Sequence, residues 1–126
     1  MKFIKSNPHP TGKKIGDCVV RSIAIATNKK WIDVYKELCE VGIELKDMPN
    51  SKPVYEEYLK RNGWTKMPMP RDNGRRIRLE LWADTLDDKL FIANVVKHLT
   101  VVEKGTLLDT WNCGHKCIGN YFLKNN

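Results

Sequence analysis

Cys18 is the residue of this chain best placed to act as a nucleophile. It follows Gly16-Asp17 and precedes Val19–Thr27, a run of apolar and small residues that predicts the first helix. The backbone amides at a helix N-terminus lower the pKa of a thiol and can stabilise a developing oxyanion. A free cysteine is also a common small core residue, so Cys18 alone does not decide between chemistry and packing.

A predicted β-hairpin in the C-terminal third supplies the partners for such a thiol. Residues 90–111 predict three short strands, and Lys104-Gly105 has the composition of a two-residue turn between the second and third. With these two residues in the loop, Glu103 lies opposite Thr106. The same register then continues along both strands.

This register brings a histidine and a carboxylate together. It places Thr100 opposite Asp109 and His98 opposite Trp111, and side chains two residues apart on a strand share a face. Asp109 then lies diagonal to His98 and can accept a hydrogen bond from one ring nitrogen, which leaves the other for the thiol. The sequence therefore predicts a catalytic triad of Cys18, His98 and Asp109.

Each of these side chains also has a purely structural interpretation. His98 can be a surface histidine at a strand end, and Asp109 can begin a turn through side-chain hydrogen bonds to the backbone. The combination of a cysteine at a helix start, a histidine on a strand and a carboxylate on the adjoining strand favours the catalytic interpretation.

Three segments resemble a known group of proteins. Residues 16–27 (GDCVVRSIAIAT), 31–39 (WIDVYKELC) and 97–113 (KHLTVVEKGTLLDTWNC) are similar to small papain-like cysteine peptidase-fold proteins that are common in bacteriophage genomes. The resemblance implies an α+β papain-like fold, with helices in the N-terminal half and a small antiparallel sheet in the C-terminal half. It also implies that Cys18 is the nucleophile, His98 the base and Asp109 the residue that orients the base.

The oxyanion donor is less well defined by the resemblance. The papain pattern places a glutamine a few residues before the nucleophile, and this chain has none there. The candidates that are left are the backbone amide of Cys18 and the side chain of Asn7.

Length and composition predict one domain spanning residues 1–126. The chain is 41% hydrophobic, as expected for a globular protein, and has no apolar run long enough to span a membrane. The N-terminal segment lacks the apolar stretch of a secretory signal. We therefore expect four reduced cysteines and a cytoplasmic location, which is the host cytoplasm if the chain is viral.

The net charge of +7 points to a second class of function. The basic residues are scattered, apart from one dense stretch at Arg71–Arg78 in a predicted loop. Such a stretch can bind nucleic acid or can be a solvated loop, and no nucleic-acid-binding motif accompanies it. Nucleic-acid binding is therefore the alternative and not the favoured function, because charge alone gives only non-specific affinity.

Cys113-Gly-His115-Lys-Cys117 suggests a competing metal site. These three side chains, with Cys39 as a fourth, are zinc ligands by type. Their spacing is tighter than that of ordinary structural zinc sites, and a turn explains Gly114 equally well. We therefore expect no metal and no cofactor.

The remaining elements are predicted from periodicity and capping signals. Helices are expected over residues 17–27, over 30–41 with Gly42 as the stop, from a cap at Ser51 to Asn62-Gly63, and over 77–86. Residues 1–15 are expected to form a polar arm. Helices followed by strands indicate the α+β class.

The function that the sequence favours is hydrolysis of an amide bond in a peptide or protein substrate, which could be a host protein. The alternative is a catalytically silent papain-like scaffold that binds a host factor or nucleic acid. A membrane partner is not expected.

Overall fold

The computed structural model describes all residues from Met1 to Asn126 and contains four helices and eight strands. The helices are α1 (Cys18–Thr27), α2 (Trp31–Leu45), α3 (Lys52–Arg61) and α4 (Leu79–Thr85). The strands are β1 (Lys2–Lys5), β2 (Trp64–Met67), β3 (Arg71–Asp72), β4 (Arg75–Arg76), β5 (Leu90–Val95), β6 (His98–Glu103), β7 (Thr106–Asp109) and β8 (Ile118–Lys124). The predicted α+β class is confirmed, with α1 to α3 in the N-terminal half.

Six strands form one sheet in the order β1-β7-β6-β5-β8-β2. All neighbours are antiparallel except β1 and β7, which pair in parallel. The short strands β3 and β4 form a separate hairpin. The sheet is therefore mostly antiparallel, and its central strands are the ones that the sequence predicts from residues 90–109.

Both faces of the sheet are covered. Alternate residues along a strand point to opposite faces, so each strand contributes to two cores. The face covered by α1, α2 and α3 contributes Ile92, Leu99, Val101 and Phe122. The face covered by α4 contributes Phe91, Ala93, Val102, Leu107 and Tyr121. Burial on both faces fixes the register of the central strands, since a one-residue slip would exchange the two sets.

The register predicted for the β6–β7 hairpin is confirmed. Glu103 pairs with Thr106, and the pairing continues to Val101 and Leu108. Lys104 and Gly105 form the turn, and both have positive φ angles, as a type I′ turn requires.

Two of the helices have well-defined capping residues, and the one at Ser51 is the cap that the sequence predicts. Asn28 ends α1 in the left-handed conformation with a φ of 54°. Ser51 caps α3, its side chain accepting a hydrogen bond from the amide of Val54 at 3.4 Å.

The predicted end of α2 is wrong. The helix passes through Gly42 and ends at Leu45, with Lys46 in the left-handed conformation as its cap. Gly42 is required for another reason: a Cβ atom there would lie 2.7 Å from the carbonyl oxygen of Asp47. The glycine allows the chain after the helix to fold back closely, and the helix does not stop at it.

The N-terminal arm and the basic segment both form strands that the sequence analysis missed. Lys2–Lys5 adds an edge strand beside β7, with every residue exposed. Arg71–Arg78 contains the β3–β4 hairpin, which turns at Asn73-Gly74. Neither strand has the alternation of apolar and polar residues on which strand prediction depends. None of the four helices has the length and apolar character needed to cross a membrane.

Candidate functional site

Cys18 is the first residue of α1, one residue after the predicted helix start, and Asp17 is the N-cap residue before it. α1 is held against β6 by packing and by Ser22, whose hydroxyl donates a hydrogen bond to the backbone carbonyl of Leu99 at 2.7 Å. Because Leu99 is the second residue of β6, the first turn of α1 lies at the end of the sheet where β6 begins.

His98 and Asp109 meet at this same end of the sheet. His98 is the first residue of β6 and Asp109 is the last of β7, so their antiparallel strands bring them side by side. The distance from His98 Nε2 to Asp109 Oδ2 is 2.7 Å. Nε2 is thus engaged with the carboxylate, and Nδ1 is the ring nitrogen left for the thiol.

The Asp109 carboxylate is itself held in a fixed position. It is 3% exposed and accepts a hydrogen bond from the Thr100 hydroxyl on Oδ2 at 2.6 Å. The backbone amide of Thr110 donates to Oδ1 at 2.6 Å. The contact with Thr100 agrees with the predicted register, which places these two residues opposite each other.

Hydrogen bonding and charge favour the ionised forms of both His98 and Asp109. Burial lowers the pKa of His98, but its interactions with Asp109, Cys113 and Cys18 outweigh burial and raise the pKa to about 11. Burial raises the pKa of Asp109, but the hydrogen bonds from His98 and Thr100 lower the pKa below its ordinary value. An imidazolium paired with a carboxylate results at neutral pH.

The His98 imidazolium lowers the pKa of the Cys18 thiol. Burial raises the pKa of Cys18, but the interactions with His98 and the Leu99 backbone and the charge of Arg21 together lower it. No hydrogen bond of standard geometry joins the thiol to the ring in this structure. A looser contact of this kind is common in unliganded enzymes, and the lowered pKa shows that His98 favours the thiolate form of Cys18.

Arg21 links the carboxylate of the site to the residue before the nucleophile. Its buried guanidinium forms ion pairs with Asp17 and, at 3.5 Å, with Oδ1 of Asp109. Trp31 donates its indole N–H to Oδ2 of Asp17 at 2.9 Å. This network is not predicted above, although Asp17 and Arg21 have the i,i+4 spacing of a helical ion pair.

Cys113 gives the site a second thiol. It is fully buried, and its Sγ lies 3.8 Å from Oδ2 of Asp109. Its side chain, with those of His98 and Asp109, places three metal-ligating atoms within 4.8 Å of one another. Ligands on a tetrahedral zinc lie about 3.4 Å apart, so the 2.7 Å contact between His98 and Asp109 fits a direct hydrogen bond better than a shared ion.

The zinc set considered from the sequence does not assemble. Of Cys39, Cys113, His115 and Cys117, the structure places only Cys113 in a cluster of ligating groups. His115 is exposed, and Cys39 lies on α2.

A cleft of about 520 Å³ opens beside Cys18 and His98. Its lining comes from the first turn of α1, the start of α3, strand β4, the β5–β6 turn and the start of β8. These residues are Gly16, Cys18, Val19, Asn50, Lys52, Tyr55, Arg76, Asn94, Val96, Lys97, His98, Leu99, Gly119 and Asn120. The thiol and the imidazole thus both face a space large enough for part of a peptide.

Asn7, a predicted oxyanion donor, lies outside this cleft. Its amide nitrogen donates to the carbonyl of Gly12 at 3.3 Å, and its oxygen accepts from the amide of His9 at 3.1 Å. It lines a different cavity, together with Arg21. Both polar atoms of its side chain are used to hold the turn at residues 7–12.

Asn94 has the free donor that Asn7 lacks. Its Oδ1 accepts a hydrogen bond from the Tyr55 hydroxyl at 2.9 Å, whereas its buried Nδ2 has no partner. A buried donor without an acceptor is costly in a folded protein unless a ligand satisfies it. Asn94 also lines the cleft with Cys18, but Nδ2 itself is inaccessible from the open space of the cleft. Sequence reasoning missed it because nothing in the local pattern distinguishes it from other asparagines.

Comparison with known proteins assigns no function to this site. No protein-family model matches the chain, and no curated protein or solved structure matches it. The chemistry of the site is therefore inferred from its own residues.

Proposed function

We propose that this chain is a papain-like thiol hydrolase, either a cysteine peptidase or an amidase, of the kind carried by bacteriophages. The observation that carries this proposal is the 2.7 Å contact between His98 Nε2 and Asp109 Oδ2, with Cys18 at a helix N-terminus and interacting with the same ring. A histidine oriented by a carboxylate and paired with a low-pKa thiol is the arrangement that activates a nucleophile.

The proposed reaction uses each of these groups in turn. The Cys18 thiolate attacks the carbonyl carbon of an amide, and the oxyanion accepts a hydrogen bond from the backbone amide of Cys18. The His98 imidazolium then gives its proton to the leaving amine, which leaves an acyl-enzyme thioester. Neutral His98 takes a proton from water, which attacks the thioester and releases the acid and the Cys18 thiolate. Asp109 orients the ring throughout.

A single domain in a reducing, cytoplasmic compartment is part of the proposal. All four cysteines are free in the structure. A thiol nucleophile must stay reduced to work, and reducing compartments keep thiols in that state.

Labelling with an alkyne-tagged iodoacetamide at pH 6 tests the proposal. An ordinary thiol is almost fully protonated at that pH, whereas a thiol paired with an imidazolium reacts. We expect wild-type protein and a Cys39→Ala control to be labelled at one site, and Cys18→Ala to be unlabelled. Cys39 is a suitable control because it is also half-buried and lies on α2, outside the cleft that Cys18 and His98 line. Labelling that persists in Cys18→Ala would contradict the proposal.

A second candidate function, nucleic-acid binding by a silent scaffold, is favoured by one observation. The β3–β4 hairpin exposes Arg71, Arg75 and Arg76 on a segment that packs against little else. A titration of a labelled oligonucleotide against salt tests it. Tight binding that weakens steeply with salt, together with no Cys18-dependent labelling, would favour this function over hydrolysis.

A further inference from the structure

The cleft beside Cys18 has an unusual charge composition. Besides His98, three of its lining residues are cations: Lys52 from the start of α3, Arg76 from β4 and Lys97 from the β5–β6 turn. None of the lining residues is an aspartate or a glutamate. The cleft is therefore positive along three of its walls.

These three cations are not neutralised within the protein. The ion pairs of the chain involve other basic residues, and none includes Lys52, Arg76 or Lys97. By contrast, the exposed Arg61 on the same helix as Lys52 is paired with both Glu44 and Glu57. The positive charge in the cleft is thus free to act on a bound molecule.

Lys97 lies in a turn with an unusual backbone conformation at the edge of the cleft. Val95 pairs with His98, so Val96 and Lys97 form a two-residue hairpin turn. Their φ angles are 35° and 59°, in the left-handed region that disfavours a β-branched residue such as valine. Strain of this kind persists where the surrounding structure imposes it, and it concentrates at binding and catalytic sites.

We propose that the cleft selects an acyl substrate that carries a carboxylate close to the scissile amide, such as an acidic peptide. Lys52, Arg76 and Lys97 are the residues that bind this carboxylate. The reacting amide rests on the proposed function, whereas the preference for an anion rests only on the cleft.

A peptide carboxylate fits this cleft better than a nucleic acid. Cys18 acts on an acyl carbon, so the anion and the acyl group must belong to the same ligand. A volume of about 520 Å³ accommodates a few residues of an extended peptide and is too small for a duplex.

Competing alkylation of Cys18 by iodoacetate and iodoacetamide tests the anion preference without any substrate. The two reagents have nearly the same shape and differ by one negative charge. We expect each of Lys52→Gln, Arg76→Gln and Lys97→Gln to lower the iodoacetate-to-iodoacetamide rate ratio by about 1.5- to 5-fold at low salt. Lys60→Gln, which removes an exposed charge of α3 outside the cleft, should leave the ratio unchanged. Equal ratios in all four variants would overturn the proposal.

Hydrolysis of paired peptides separates this proposal from the proposed function. The peptides differ only in glutamate or glutamine beside the scissile bond, and each is assayed with the wild type, Lys97→Gln and Lys60→Gln. A glutamate preference in kcat/KM that falls in Lys97→Gln but not in Lys60→Gln supports both proposals. Cys18-dependent hydrolysis without a glutamate preference overturns the substrate class alone. If no peptide is hydrolysed but the iodoacetate-to-iodoacetamide rate ratio still depends on the three cations, the proposed hydrolase function is wrong and the anion site is supported.

Discussion

At the scale of single residues, the site converges on one oxygen atom. Oδ2 of Asp109 accepts hydrogen bonds from His98 at 2.7 Å and Thr100 at 2.6 Å, and the thiol of Cys113 lies 3.8 Å away. A buried carboxylate with this many donors is fixed in both position and charge. The imidazole that it orients is in turn the group that lowers the pKa of Cys18.

Asp109→Asn tests the importance of the charge on that oxygen. An asparagine can still accept a hydrogen bond from the ring but no longer stabilises the imidazolium, so we expect the protein to fold and its Cys18-dependent hydrolysis to fall about a hundredfold. Rates on the best glutamate or glutamine peptide, with circular dichroism to verify folding, provide the measurement. An unchanged rate would show that Asp109 has only a structural role. Asp84→Asn, which alters an exposed carboxylate far from the cleft, is the control.

At the scale of elements, the hairpin and the helix starts could be predicted because their signals are local. The turn at Lys104-Gly105 fixes the register that brings Asp109 to His98, and Ser51 caps α3 by itself. The edge strand β1 is held by hydrogen bonds to β7, which lies far along the chain, and so has no local signal.

Local signals also predict one part of the candidate site and leave another part unpredicted. The hairpin register predicts that His98 and Asp109 are neighbours. The roles of Arg21 and Asn94 depend on how α1 and α3 pack on the sheet, and spacing within one element cannot supply that information. Asn7 is a candidate donor only because the glutamine of the papain pattern is absent, and the turn that Asn7 stabilises holds it away from the thiol.

Arg21 connects α1 to β7, and its removal tests that connection. Arg21→Ala leaves the buried carboxylates of Asp17 and Asp109 without their shared cation, so we expect a loss of about 3–5 kcal/mol in the free energy of unfolding. Arg61→Ala removes an arginine that also bridges two carboxylates, but at the surface, and should cost at most about 1 kcal/mol. Urea denaturation of both variants provides the comparison. Equal losses would show that the Arg21 network does not stabilise the fold.

For the whole molecule, the free energy of unfolding depends on the protonation of His98 in the site. Two apolar cores hold the sheet between α1 to α3 on one face and α4 on the other. The His98–Asp109 pair lies at one end of this sheet, so folding brings the histidine to a carboxylate that it does not meet in the unfolded chain. Folding therefore raises the affinity of His98 for its proton.

This linkage predicts how stability depends on pH. The pKa of His98 is 6.5 in the unfolded chain and about 11 in the folded protein, so its contribution is complete below pH 6.5 and is lost as the pH rises towards 11. The Cys18 thiol has the opposite dependence, since its folded pKa is lowered, and Cys18→Ala removes it. We compare the free energy of unfolding of the single variant Cys18→Ala with that of the double variant Cys18→Ala/His98→Gln. The single variant should be the more stable one, and the difference should decrease between pH 6.5 and pH 11. Chemical denaturation across this range measures it, and an advantage independent of pH would contradict the raised pKa.

The pH dependence of Cys18 alkylation reports directly on the proposed ion pair between Cys18 and His98. The rate constant for iodoacetamide at Cys18 is measured by mass spectrometry from pH 4 to pH 10 in the wild type and in His98→Gln. We predict that the wild-type rate rises with an apparent pKa below the ordinary thiol value of 9.0, and that the His98→Gln rate rises at a higher pH. A wild-type thiol that titrates at or above 9.0, or an unchanged profile in His98→Gln, would contradict the account.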